Sequence, residues 1–127
     1  MQLKDGIRTH YVLIVIDTQA QLEGKQKIYM VTDQDTCGQA TSELTVKAEV
    51  GDKIVWRATG IMEQSNPILE KFVCSDEAKS LFLNPPVRDW DGSWSAIVKK
   101  PGRVTYHFVY SINGHGEYQW DPFIDIK

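Results

Sequence analysis

The sequence lacks an apolar run long enough to cross a membrane as a helix. Its longest run covers residues 11–16, whereas a membrane-spanning helix needs about 20 residues. Residues 1–6 are mostly polar, and no small-residue cleavage signature follows the apolar run, which argues against a secretory signal. We therefore expect a cytoplasmic protein with no membrane span, or one that leaves the cell by a route that needs no signal peptide.

An excess of basic residues is also missing. The chain has 14 Lys and Arg against 17 Asp and Glu, which gives a formal net charge of -3. Proteins that bind nucleic acid neutralise phosphates with clustered Lys and Arg, so we expect no nucleic-acid partner. The 127 residues, 42% of them hydrophobic, are typical of one globular domain, residues 1–127.

Cysteine is scarce. The two cysteines, Cys37 and Cys74, have neither the spacing of a redox pair nor the companions that a Cys-rich zinc site requires. Two free thiols are the favoured interpretation for a reducing compartment, and a disulfide between them is the alternative.

Helical periodicity is also scarce, and alternation of apolar and polar residues dominates instead. Frequent turn signals between short alternating runs favour an all-β protein, a single antiparallel β-sandwich of about eight strands. The strands are predicted near residues 10–17, 27–32, 44–50, 53–59, 68–74, 94–99, 103–112 and 116–126.

Asn113 and Gly114 give the strongest local signal. Both residues tolerate a positive φ, and an Asn-Gly pair between alternating runs favours a two-residue hairpin turn. We therefore predict that strands 103–112 and 116–126 pair. Further turns are expected at Gly51 with Asp52 and at Pro101 with Gly102.

Residues 44–56 and 101–108 resemble the strand arrangement of cupredoxin-like sandwiches, so we expect a cupredoxin- or immunoglobulin-like fold. A blue-copper centre needs two His, a Cys thiolate and usually a weak axial Met. His107 and His115 could supply nitrogens, but Cys74 lies in a distant segment and no Met follows His115. We expect no copper and no other cofactor.

Motifs for nucleophilic catalysis are missing as well. The chain contains no G-x-S-x-G elbow and no local Cys-His arrangement, so we expect a protein that is not an enzyme. Asp33 and Asp35 could hold a hard cation, but the continuation of an EF-hand loop is absent, and a solvated loop is the favoured interpretation.

Residues 89–94 combine two tryptophans with acids after a Pro-rich loop. A loop indole offers a flat face for the C–H side of a sugar, and short polar groups can hold its hydroxyls. The alternative is that Trp90 or Trp94 fills the end of the core. The predicted ligand-binding residues are Trp90, Asp91, Asp89, Asn84, Arg88 and Trp94.

Residues 116–124, together with 14–18 and 50–56, resemble the AidA/PixA-like family of bacterial inclusion-body proteins. The most specific part is the Tyr-x-Trp-Asp-Pro-aromatic-Ile ending at 118–124. The resemblance implies a bacterial β-sandwich without known catalysis, made in quantity under cell-density or growth-phase control. It also implies deposition as inclusions in some members and a link to host-associated life. With three methionines, the chain departs from a methionine-rich storage protein.

Four residues of these segments are expected to have structural roles: Asp17, Trp120, Asp121 and Pro122. Because Pro122 cannot donate to a strand ladder, we expect an edge position or a bulge there. In cupredoxin-like topologies the first and last strands are neighbours, so Asp17 and Asp121 are expected on the same side. Contact with a ligand is the alternative for both.

Two functions follow from these observations. The first is a non-enzymatic, homo-oligomeric protein that binds carbohydrate through loop aromatics and acids. The second is a self-assembling structural or storage protein of inclusions with no small ligand.

Overall fold

The computed structural model describes residues 8–34, 36–61 and 66–127, and within them strands predominate. The elements are β1 (Thr9–Ile16), α1 (Thr18–Leu22), β2 (Ile28–Thr32), β3 (Thr45–Ala48), β4 (Lys53–Gly60), β5 (Pro67–Cys74), α2 (Asp76–Lys79), β6 (Val87–Arg88), β7 (Trp94–Ile97), β8 (Gly102–Ile112), β9 (His115–Trp120) and β10 (Phe123–Ile126). The all-β prediction is confirmed. Each predicted strand is present, the last one is divided in two, and β6 was not predicted.

The strands form two sheets. The first sheet has the order β2-β1-β4-β7-β6, and the second has the order β3-β10-β8-β5, with β9 also paired to β8. Both sheets are mixed, because β1 runs parallel to β4 and β10 runs parallel to β3. The expectation of purely antiparallel sheets is therefore wrong. Alternation reports which side chains are buried, and it carries no information on strand direction.

Aromatic side chains join the two sheets. Trp56 of β4 is fully buried, and its ring lies 5.4–5.6 Å from the rings of Phe72, Tyr106 and Phe108 in the second sheet. The Trp56 indole N–H donates to the Tyr106 hydroxyl at 3.0 Å. This bond satisfies two buried polar groups that would otherwise cost free energy in the core.

The predicted pairing of the last two strand segments is confirmed. Phe108 lies opposite Trp120, and Thr105 lies opposite Phe123, so the register of β8 is the same against β9 and β10. Pro122 interrupts the strand, yet its carbonyl still accepts from the Tyr106 backbone N–H at 3.2 Å. β9, which ends two residues before Pro122, pairs with β8, and β10, which begins at the next residue, lies between β3 and β8, so Pro122 lies where the chain passes from the edge of the sheet into it.

The turn between β8 and β9 has the predicted geometry. Asn113 has φ 51° and Gly114 has φ 79°, as a type I′ turn requires. The register shifts by one residue between Tyr110 and Ile112, and Gly116 on the opposite strand has φ 81°. The hairpin therefore combines a tight turn with a bulge.

The first and last strands are not neighbours, contrary to expectation. β1 lies in the first sheet and β10 in the second. Asp17 follows β1 directly and caps α1, since its Oδ1 accepts from the Ala20 backbone N–H at 3.0 Å. α1 in turn contacts the second sheet, where the Tyr110 hydroxyl donates to the Gln21 side-chain oxygen at 2.7 Å.

The side of the first sheet that faces away from the core is rich in apolar side chains. Tyr11, Val55, Ser95 and Val87 pair in sequence across β1, β4, β7 and β6, so they share that side. The exposed large side chains on this surface, which we call the outer face, are Tyr11, Leu13, Tyr29 and Val87.

Candidate functional site

The hairpin between β6 and β7 forms one wall of the candidate site. Its loop is closed by a bond from the Asp89 N–H to the Ser93 carbonyl at 2.8 Å and by a bond from the Gly92 N–H to the Asp89 carbonyl at 3.0 Å. Gly92 adopts φ 87°, a conformation that favours glycine. The loop holds Trp90 at its tip, where the residue is 98% exposed.

A groove of about 600 Å³ separates this hairpin from the end of β4 and the start of β5. That volume is within the range of small-molecule sites, roughly 300–1,000 Å³. The lining consists of both polar and apolar residues: Arg57, Ala58, Asn66, Pro67, Ile68, Leu69, Arg88, Asp89, Trp90, Asp91, Gly92 and Ser93.

Asp91 organises the polar side of the groove. Its Oδ1 accepts from the Ser93 hydroxyl at 2.6 Å and from the Ser93 N–H at 3.0 Å, and its Oδ2 lies 2.6 Å from the Arg57 guanidinium. The hydrogen bond from the Ser93 hydroxyl, with smaller contributions from the Ser93 N–H and Arg57, lowers the pKa of Asp91. Asp91 is therefore ionised at neutral pH, and its hydrogen bonds hold the carboxylate in place.

A second charged pair lies at the same hairpin. Arg88 lies 3.6 Å from Glu70, and the Ser111 hydroxyl donates to the other oxygen of Glu70 at 2.8 Å. The register of β5 shifts between Leu69 and Lys71, so Glu70 is the bulged residue. Bulges commonly redirect a side chain, and this one places a carboxylate beside β6.

The structure brings together four of the six predicted ligand-binding residues, namely Arg88, Asp89, Trp90 and Asp91. Asn84 instead lines a separate groove of about 350 Å³, together with Leu83, Val87 and Ile97 among others. Asn84 and the Trp90 loop therefore do not form one site.

Trp94 is not part of the described groove lining. It is half-buried, its indole N–H donates to the Leu69 carbonyl at 2.8 Å, and its ring packs edge-on against Phe108. This is the alternative in which a tryptophan fills the end of the core.

No pattern in the sequence indicated that Arg57 and Asn66 line the groove. Arg57 occupies an outward position of β4 and looks like any solvated strand residue, and Asn66 precedes β5. Only the pairing of distant strands places them opposite residues 88–93. A second missed feature is the buried pair of His10 and Asp52, whose Nε2 and Oδ2 atoms lie 2.7 Å apart and join the starts of β1 and β4.

The side chains that were considered as copper ligands do not point to one place. His107 lies opposite Val73, whereas Cys74 lies opposite Tyr106 and packs on the core. His107 is 3.4 Å from Asp121. Within residues 8–34, 36–61 and 66–127, no three His, Cys, Asp or Glu side chains are grouped for a metal ion. Asp35 lies outside the described residues, so the Asp33 and Asp35 hypothesis stays a prediction.

The remaining sequence features have defined positions. Cys37 is exposed, Cys74 is half-buried, and both are free thiols. Trp120 is buried, and its indole N–H points to the Met30 sulfur at 3.1 Å. Asp121 is exposed and Pro122 is buried.

No helix in the described part of the chain is long and apolar enough to span a membrane.

Comparisons with known proteins identify the family and the fold. The family model described as "Domain of unknown function (DUF8788)" matches residues 8–118. The chain belongs to this family. A search of curated proteins finds no match.

Among solved structures, the chain is similar to the inclusion body protein PixA from Burkholderia cenocepacia J2315, with a TM-score of 0.74 and 12% sequence identity. The match covers 100% of this chain and 99% of that chain. It confirms the PixA-like resemblance at the level of the fold.

Proposed function

We propose that the protein is a non-enzymatic, self-associating protein of the inclusion-body kind. The observation that carries this proposal is a group of exposed large apolar side chains that share one side of β1 and β2, namely Tyr11, Leu13 and Tyr29. Extensive exposed apolar surface commonly marks a protein interaction site. Full-length similarity in fold to an inclusion body protein supports the same function.

Sedimentation velocity across a wide concentration range tests this function. We expect species larger than the monomer, in proportions that grow with protein concentration, and dense inclusions in cells that express the chain strongly. A single monomeric species at every concentration would contradict self-association.

The second candidate function is carbohydrate binding, and it is favoured by Trp90 at the edge of the 600 Å³ groove. The exposed indole offers a stacking surface, while Asp91 and Arg57 offer a carboxylate and a guanidinium that can hold hydroxyls. The groove contains charges of both signs, so we propose a neutral, hydroxyl-rich sugar as the ligand.

A glycan array with matched variants tests this second function. Trp90→Ala removes the stacking surface and should abolish sugar binding, whereas Leu22→Ala removes an exposed apolar side chain outside the groove and should not. If Trp90→Ala leaves glycan signals unchanged, or if the unmodified protein binds no glycan, carbohydrate binding at this groove is wrong.

We also propose that the two sheets form a cupredoxin- or immunoglobulin-like sandwich and that the chain is a homo-oligomer. We also propose a cytoplasmic location, with release by a route that needs no signal peptide as the alternative, and cell-density-dependent production. Asp17, Trp120, Asp121 and Pro122 are proposed to be structural, since two of the four are buried and Asp17 caps a helix.

A further inference from the structure

Gln34 connects the two sheets through its side chain. The Lys47 N–H in β3 donates to Gln34 Oε1 at 2.9 Å, and Gln34 Nε2 donates to the Lys47 carbonyl at 2.6 Å. The same Nε2 atom lies 2.9 Å from Nδ1 of His10 in β1. The amide therefore closes the edge of β3, where another strand would pair, and it also contacts the first sheet.

The bonds to Lys47 fix which end of the Gln34 amide faces the histidine. If the amide were turned over, its NH₂ group would face the Lys47 N–H and its oxygen would face the Lys47 carbonyl. The NH₂ group therefore points to His10, and because this group only donates, Nδ1 of His10 is an acceptor without a proton. The ring proton is then on Nε2, which donates to Asp52 Oδ2 at 2.7 Å.

The histidine lies in a closed environment. His10 is 8% exposed and Asp52 is 1% exposed, and Asp52 Oδ2 also accepts from the Glu49 N–H at 2.9 Å. Further charged residues of the neighbouring segments are exposed or half-buried, namely Arg8, Asp33, Lys47, Glu49 and Lys53. Water screens their charges more than it screens the Asp52 carboxylate. The two contacts of the ring act in opposite directions, because a carboxylate favours the imidazolium and a donor that faces Nδ1 disfavours it.

We propose that Gln34 is a clasp between the two sheets that acid releases. A proton added to Nδ1 of His10 puts an N–H opposite the NH₂ group of Gln34, and two donors cannot form a hydrogen bond with one another. The imidazolium keeps its bond to Asp52, which the new charge strengthens, so the Gln34 side chain is the partner that leaves. Its departure opens the edge of β3 at Lys47. The clasp operates within one chain and does not depend on the proposed self-association.

Gln39 provides an internal comparison. Its Oε1 accepts from the Thr32 N–H at 3.0 Å and its Nε2 donates to the Thr32 carbonyl at 2.8 Å, so it closes the edge of β2 as Gln34 closes the edge of β3. Gln39 Nε2 also donates to the Gln34 backbone carbonyl at 2.6 Å, which holds the backbone of residue 34 while its side chain moves. Release of the clasp should therefore free the Lys47 N–H and leave the Thr32 N–H protected.

Nuclear magnetic resonance of the ring nitrogens tests the state before release. At a pH of about 8, where an ordinary histidine is neutral, His10 should carry its proton on Nε2. The chain has three histidines, and His107 in β8 and His115 in β9 serve as references in the same spectra. An imidazolium at position 10, or a proton on its Nδ1, would overturn the proposal.

Hydrogen exchange tests the release itself. As the pH falls from about 8 to about 5, the protection factor of the Lys47 N–H, which corrects for the intrinsic exchange rate at each pH, should fall about tenfold or more as His10 becomes charged. The protection factor of the Thr32 N–H should not change. A His10 ring that stays neutral at the lower pH, unchanged protection of Lys47, or an equal loss at Thr32 would each show that no such clasp exists.

Substitutions of Gln34 distinguish this role from a merely structural one. Gln34→Glu replaces the donor by a carboxylate that accepts from a protonated Nδ1, so the titration midpoint of His10 should lie at least about one pH unit higher. Gln39→Glu is the matched control, because it adds the same charge to the same loop and should shift the midpoint much less. Gln34→Met removes the donor without adding a charge and should give a smaller rise, which keeps the test valid if the glutamate variant is not folded by thermal melting. Equal midpoints in the unmodified protein and in the folded Gln34 variants would refute the clasp.

Discussion

Trp90 and Trp94 are four residues apart and have opposite environments. Trp90 is at the tip of the loop, and Trp94 begins β7 with its indole bonded to Leu69. The sequence predicted a ligand-binding loop in this segment, and four of the six predicted residues line one groove. Which tryptophan is exposed depends on where the strand begins, and this is set by pairing with Arg88 and Trp56.

Truncation of the two tryptophans should affect stability very differently. Trp94→Ala removes a half-buried ring and its hydrogen bond and should lower the free energy of unfolding by roughly 2–3 kcal/mol. Trp90→Ala removes an exposed ring and should change it by no more than about 0.5 kcal/mol. Urea unfolding followed by circular dichroism measures both, and equal effects would refute the assignment of their environments.

The two thiols should also differ in reactivity. Burial raises the pKa of the Cys74 thiol, and only the thiolate reacts with disulfide reagents. Cys37 is exposed, so we expect a fast phase of labelling from Cys37 and a slow phase from Cys74 that accelerates as the pH rises. Cys37→Ser should leave only the slow phase, and fast labelling of that variant would contradict partial burial of Cys74.

The hairpin of β8 and β9 is the element that sequence predicted best. Asn113 and Gly114 specify a local conformation through their own tolerance of positive φ, so no distant residue is needed. The parallel pairing of β1 with β4 and the short strand β6 escaped prediction for the opposite reason. Parallel neighbours are separated by long connections, and Val87 and Arg88 become a strand only because β7 is beside them.

Gly114→Val should destabilise the hairpin. Nothing lies within 4 Å of the position of an added Cβ, so the cost comes from the backbone, because a β-branched residue at φ 79° is strained. We expect a loss of roughly 1–3 kcal/mol. Gly114→Asn is the control, since asparagine tolerates this conformation. If thermal melting shows the same midpoint for the valine variant and the unmodified protein, the turn is not of this type.

At the scale of the whole molecule, the two sheets meet through rings that carry hydroxyl groups. Alternation predicted that Tyr106 and Tyr110 point inward, and both are buried. It could not predict that Tyr106 meets Trp56 of the other sheet or that Tyr110 reaches Gln21 of α1. Those contacts depend on how the sheets are placed relative to one another, which no single strand encodes.

Stability should fall steeply in alkali. Burial raises the pKa of Tyr110 from 10.0 to about 12, and burial also raises the pKa of Tyr106. A raised pKa in the folded state means that the unfolded chain loses these protons first, so the free energy of unfolding decreases as the pH rises from about 10 to about 12. Urea unfolding at a series of pH values measures the decrease.

Tyr110→Phe provides the control for this effect. The variant loses the bond to Gln21 at every pH, but it has no phenol to ionise, so its stability should depend less on pH above about 10. An identical alkaline slope in the variant would show that Tyr110 does not contribute.

The position of β10 has a consequence for the synthesis of the chain. β10 lies between β3 and β8 in the second sheet. β3 therefore cannot join this sheet until residues 123–126 have left the ribosome. All strands of the first sheet, which end at Ile97, emerge earlier. During translation a nascent chain therefore presents the inner side of a finished first sheet while the second sheet is still incomplete. Slow synthesis of β8 to β10 is therefore expected to favour deposition of chains with an incomplete second sheet, and fast synthesis of these strands is expected to favour the folded product.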